Sequence, residues 1–290
     1  MNDLNDEIVN SNLVLYADDS KIYKIINSAT DCLEMAEDLL NLEDWVSAWQ
    51  MKLNINKCEL LSVGSSNVDY PYKLNGFVVP GGDVCRDLGV YVSDNLSFTQ
   101  HCMKISRYAH YRRRQFHSAF ACKDRDFHVF LFCTYVRPIL ESNSSVWSPH
   151  TLMDIDRIEN VQRTFTKYLP GLYNMSYASR MNILNLESLE YRRIKFDLVF
   201  LFKIVNNLVH IDGRHLFSFN TMNTRGHSLK INHQYSRVNC RKYFFINRIV
   251  PVWNVLPSEV VNVDNVNMFK HRLENVDLTR YCRGRAHTAI

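Results

Sequence analysis

Long apolar runs are missing from these 290 residues, and no window approaches the roughly 18 uninterrupted apolar residues of a membrane span. The N-terminus, Met1 to Asn10, is polar and acidic and lacks the basic-then-apolar layout of a secretory signal, so the expected location is intracellular, nucleus or cytoplasm. CxxC pairs are absent too. The eight cysteines are widely and irregularly spaced, which excludes a disulfide framework and a zinc site, and His101 beside Cys102 is too isolated to make half of one. Internal repeats and low-complexity linkers are also missing. What is present is 46% hydrophobic and 12% aromatic, the composition of a globular chain with real cores.

The charge is unevenly placed. Residues 1–98 hold 6 Lys and Arg against 16 Asp and Glu, whereas residues 99–290 hold 28 against 14. An acidic front before a basic back suits a protein that holds cations in one place and a phosphate backbone in another; two solvated faces would give the same counts.

The chain is organised around Leu13-Val14-Leu15-Tyr16-Ala17-Asp18-Asp19-Ser20-Lys21-Ile22-Tyr23, a β-prone run that turns on two adjacent carboxylates and returns. A tight hairpin turn keeps Asp18 and Asp19 exposed on a rigid support. Such hard oxygen donors suit Mg²⁺, although Asp-Asp is also ordinary turn chemistry.

Behind the hairpin, Asp31 to Gln50 reads as a helix capped by Thr30 or Asp31. Its apolar stripe is Leu33, Ala36, Leu39, Leu40, Leu42, Val46 and Trp49, with Glu34, Glu37, Asp38, Glu43 and Asp44 on a solvated face. A polar turn over residues 51–59 leads to a β-prone run, Leu60 to Gly64. Tyr72 to Val79 reads as a hairpin about Asn75-Gly76, and Asp87 to Val92 as a further strand. The pattern becomes helical from Thr99. Thr99 to Ala121 sets Lys104, Arg107, Tyr111 and Arg114 at spacings of three, four and three, so three cations and an aromatic share one stripe. That stripe fits a phosphate backbone or serves as a solubilising face.

Further helices are expected over Phe127 to Glu141, Thr151 to Leu169 and Leu186 to Leu208. Ile155, Ile158, Val161, Phe165 and Leu169 would be buried, and Tyr135, Trp147, Phe196, Phe200 and Phe202 would serve as packing aromatics. After about residue 215 the composition shifts. From Arg225 onward there are 11 Lys and Arg against 4 Asp and Glu, and the tail from Arg280 is basic and expected to be mobile.

Motifs then fall in a specific order: Tyr16-Ala17-Asp18-Asp19; Trp45 and Trp49; Leu53-Asn54-Ile55-Asn56-Lys57-Cys58; Asp87-Leu88-Gly89-Val90 with Leu96 and His101. Tyr135 to Glu141, Val146 to Pro149, Ile158 to Arg163, Leu189 to Arg193 and Trp253 to Pro257 continue the series. In this order the chain resembles the later part of a reverse transcriptase from a non-LTR retrotransposon of the jockey type, from about Ile8 to Tyr281.

The resemblance implies an α+β fold, with a partial right-hand polymerase palm over 1–98, a helical thumb-like domain over 99–215 and a basic C-terminal region over 216–290. It implies an RNA-directed DNA polymerase whose partners are an RNA template and a DNA primer, and whose cofactor is a pair of Mg²⁺ ions. Asp18 and Asp19 would be the catalytic and metal-holding residues, and Lys57 would lie near the incoming triphosphate. Leu88 and Gly89 would grip the primer end, while Lys104, Arg107, Tyr111 and Arg114 would follow the nucleic acid.

Only fifteen residues precede Tyr16, whereas the family sets another metal-binding aspartate and the fingers upstream. Asp3, Asp6 and Glu7 lack the strand context to replace that aspartate. The expectation is therefore a 5′-truncated product, inactive alone. A nucleic-acid-binding remnant or a co-opted, non-catalytic interaction protein are the alternatives.

Overall fold

A computed structural model of the chain describes residues 3–122, 124–220 and 226–284. The fold is α+β, and the chain divides into two compact units, Met1–Ser97 and Phe98–Ile290. By the counts above, the first unit carries the acidic excess and the second the basic one.

Among its described residues the first unit has two α-helices, α1 (Leu4–Glu7) and α2 (Ala29–Ala48), and three separate two-stranded antiparallel sheets. These are β1 (Asn12–Tyr16) with β2 (Asp19–Tyr23), β3 (Lys73–Leu74) with β4 (Phe77–Val78), and β5 (Val84–Asp87) with β6 (Val90–Ser93). Helix α2 starts earlier than the sequence suggests. Ser28 is the N-cap, its hydroxyl accepting from Asp31 N while the Asp31 carboxylate accepts from Ser28 N, a reciprocal capping box.

The buried face of α2 is Cys32, Asp38, Leu39, Leu42, Trp45 and Val46, packed with Leu4, Ile8, Tyr72, Leu74 and Val79. Leu33, Leu40 and Trp49, expected inside, are exposed. Asp38, expected in solvent, is fully buried. Its carboxylate accepts from Val9 N at 3.0 Å and Asn10 N at 3.1 Å, so it fixes the chain entering β1. A buried carboxylate is tolerable only with such donors.

Two further expectations need correction. Leu60 to Gly64 is no strand, since only an isolated bridge joins Leu60 to Gly81. Asp87 to Val92 is not one strand either, because Leu88 and Gly89 both take positive φ (44° and 85°) and fold it into the β5–β6 hairpin. Asn75-Gly76 turns β3 into β4 as expected.

The second unit opens with α3 (Thr99–Ala119), then α4 (Arg125–Leu131) and α5 (Arg137–Glu141). The single helix expected over 127–141 is interrupted by a π turn, Phe132–Val136, with Arg137 N donating to Phe132 O. Pro138 brings no N–H and its ring crowds the preceding turn, which accounts for the widened ladder there. Helices α6 (Ser144–Trp147), α7 (Leu152–Lys167), α8 (Tyr177–Ile183) and α9 (Leu189–Val205) follow. Thr151 caps α7, and Ile155, Ile158, Val161, Phe165 and Leu169 are all buried. Trp147 and Phe202 are packing residues, but Tyr135 and Phe196 are exposed.

The remaining helices are α10 (Asn239–Lys242), α11 (Phe245–Trp253), α12 (Ser258–Val261) and α13 (Val266–Leu273). Leu198, Leu201 and Phe202 of α9 share one core with Phe245, Ile249, Trp253, Phe269 and Leu273, so the segment after residue 215 packs on α9. Of the basic tail, residues 285–290 lie outside the described residues, as does Arg225. No disulfide joins the cysteines, and no described helix is long and apolar enough to cross a membrane.

Candidate functional site

Strands β1 and β2 pair from Asn12↔Tyr23 to Tyr16↔Asp19, so the two turn residues are Ala17 and Asp18, and Asp19 opens β2. Ala17 takes a positive φ of 54°. Both carboxylates are exposed, and neither has an ion pair among the described residues. Val14, Tyr16 and Tyr23 are also at least half exposed, while Leu13 and Ile22 anchor the hairpin to the core of the first unit.

The hairpin meets its neighbour through charge. Lys21 of β2 forms an ion pair with Asp87, the last residue of β5. That contact joins the strand leaving the Ala17–Asp18 turn to the strand entering the Leu88–Gly89 turn. Leu88 is half exposed at 52% in a left-handed conformation that bulky residues avoid. Retaining strain at an exposed turn is the kind of outlier found where a residue must be presented.

Lys57 ends a short 3₁₀ turn, Ile55–Lys57, and is exposed. No described hydrogen bond or ion pair joins it to Asp18 or Asp19. Among the described residues no three His, Cys, Asp or Glu side chains group as a metal site. Asp3, considered above as a replacement carboxylate, instead accepts from Trp45 Nε1 at 3.2 Å.

In the second unit, the buried side of α3 is His101, Cys102, Ser106 and Ala109, and the helix packs on α5 and α7. Lys104, Arg107, Tyr111 and Arg114 are all exposed, on a helix roughly 31 Å long. Tyr108 and Arg112, outside the expected stripe, are also exposed, with the guanidinium 5.6 Å from the ring centroid. Arg113 is outside it too, and its guanidinium lies 5.6 Å from the Tyr168 ring.

A simpler signal was available: Thr99–Ala119 contains five Lys and Arg and no Asp or Glu. The electrostatic consequence is visible in the half-buried groups. Burial, then Arg113 and Arg114, hold His110 below its ordinary range, and burial followed by Arg114 lowers Arg113. Arg107 and Arg114 make no ion pair among the described residues. A basic helix without acids of its own attracts polyanions.

No protein-family model, curated protein or solved structure matches the chain.

Proposed function

We propose that this chain carries the carboxylate hairpin, the primer-end hairpin and the following basic helices of a non-LTR retrotransposon reverse transcriptase, an RNA-directed DNA polymerase. The observation that carries the polymerase reading is the Lys21–Asp87 ion pair, which brings together two hairpins whose turns hold Asp18 and Leu88-Gly89. In this reading Leu88 and Gly89 contact the primer end, and Lys57 offers an ammonium to a triphosphate. Lys104, Arg107 and Arg114 neutralise phosphates, with Tyr111 beside them.

Two exposed carboxylates suit Mg²⁺, which keeps several waters and needs only one or two protein oxygens. A bound pair of such ions would supply activation of a primer hydroxyl and charge stabilisation for a leaving pyrophosphate. Asp18 and Asp19 would hold the metal, but the described residues bring no third ligand to them. The chain by itself therefore binds template and primer without extending the primer.

Primer extension on an RNA template, with the purified chain and its Asp18→Ala variant, tests this alongside RNA binding. The expected result is salt-sensitive binding and no extension. Extension abolished by Asp18→Ala would overturn the inactivity and keep the polymerase reading. Absence of RNA binding would sink the reading as a whole. A nucleic-acid-binding protein with no polymerase role is the second reading, favoured by the acid-free α3 alone; extension once a palm segment bearing a further metal-binding aspartate is supplied would exclude it.

A further inference from the structure

The tyrosines of the second unit sort into two groups by exposure. Several carry a cation over the ring yet are partly buried, among them Tyr177, Tyr191, Tyr243 and Tyr281. Three are different. Tyr108, Tyr168 and Tyr173 each have a cation near the ring and expose 48%, 55% and 60% of their surface.

These three are linked through the packing of α3 on α7. Arg112 lies near Tyr108 one turn along α3, and its neighbour Arg113 reaches to Tyr168 at the C-terminal end of α7. Lys167, beside Tyr168, stands 4.7 Å from the Tyr173 ring centroid. Three ring–cation pairs therefore lie along α3 and the C-terminal end of α7, with the neighbouring Arg112 and Arg113 serving a ring on each helix.

We infer that this surface is a single-strand track in which each exposed tyrosine stacks on a base while its cation meets the adjoining phosphate. The inference rests on the nucleic-acid reading of α3 and names the form of nucleic acid that α3 takes. Two physical arguments carry it. A solvent-exposed ring offers a face to any unstacked base, whereas a duplex keeps its bases stacked inside and presents mainly phosphates. Arg112 and Arg113, each near a ring on a helix with no acid of its own, retain their charge for a phosphate. Such a track reads no sequence, because every base has a π face.

The test is fluorescence anisotropy of the full chain with a 12-nucleotide oligouridylate and with a 12-base-pair RNA duplex, at one salt concentration. Single strand is expected to bind about tenfold tighter or more. Replacing Tyr108, Tyr168 and Tyr173 together by Leu should weaken single-strand binding about twentyfold or more and leave duplex binding within twofold, since the cations remain. Equal affinity for the two forms, or a triple-variant loss below twofold, overturns the track.

Should the triple variant fail to fold, Tyr173→Leu alone, beyond the end of α7, should still lose about fivefold, and no loss overturns the proposal. Arg107→Gln with Arg114→Gln separates the two levels. If that pair leaves all binding unchanged, the nucleic-acid reading of α3 has failed; if it weakens binding while the tyrosine variants do not, only the track has.

Discussion

Lys21 and Asp87 are 66 positions apart and form an ion pair between the strand leaving one turn and the strand entering another. Both side chains keep contact with solvent, so their attraction is screened and contributes at most about 1 kcal/mol. Its value lies in alignment. A double-mutant cycle with Lys21→Met and Asp87→Asn should give a coupling below about 1 kcal/mol, while amide exchange at Ser20, Ile22 and Arg86 accelerates in either single variant. A much larger coupling would mean that the pair is a stability element instead.

The Leu88–Gly89 turn should be improvable at the expense of what it presents. Leu88 adopts φ 44°, a region that Asn tolerates far better in a two-residue hairpin turn. Leu88→Asn is expected to raise the stability of the first unit by about 0.5–1 kcal/mol in urea unfolding. If Leu88 also touches a primer, the same variant weakens binding of a primer–template hybrid. Stabilisation without loss of binding would make the turn merely strained.

His101 makes the second unit sensitive to acid. Its ring is 3% exposed, 4.8 Å from the Trp147 ring, and burial pushes its pKa down to about 4 from an ordinary 6.5. Between those values the unfolded chain takes up a proton that the folded chain refuses. Stability therefore falls as pH drops from about 6.5 to about 4, by about 3 kcal/mol at most from this group. Denaturant unfolding at several pH values should show that slope, and His101→Phe should flatten it. An unchanged slope in the variant would assign the acid sensitivity elsewhere.

How far the sequence spoke depended on what each local signal measures. Asn75-Gly76 specified its hairpin because both residues tolerate the left-handed region; Leu88-Gly89 specified another with only one such residue, and Asp87 to Val92 accordingly read as a single strand. Helix α7 was legible because its apolar stripe is buried along its length. Helix α2 was legible as a helix but its buried face only in part, since the burial of Asp38 depends on Val9 and Asn10, 29 and 28 residues away, which no periodicity records. The exposed stripe on α3 could be read from spacing, whereas Tyr168 and Tyr173 belong to that surface only through packing. The turn expected on Asp18 and Asp19 falls one residue earlier, on Ala17 and Asp18, with Asp19 opening β2, and adjacency in sequence says nothing about a third ligand.

The most direct measurement of the central claim is the salt dependence of RNA binding, for the chain as it stands and for a variant with Lys104, Arg107, Arg112 and Arg114 all changed to Gln. Each phosphate contact on a single strand contributes about 0.7 to the slope of log affinity against log salt. If these four side chains engage phosphates, the variant loses roughly 3 from that slope along with most of its affinity. A variant that binds with the same slope as the unaltered chain would contradict the claim that α3 is the nucleic-acid face of this protein.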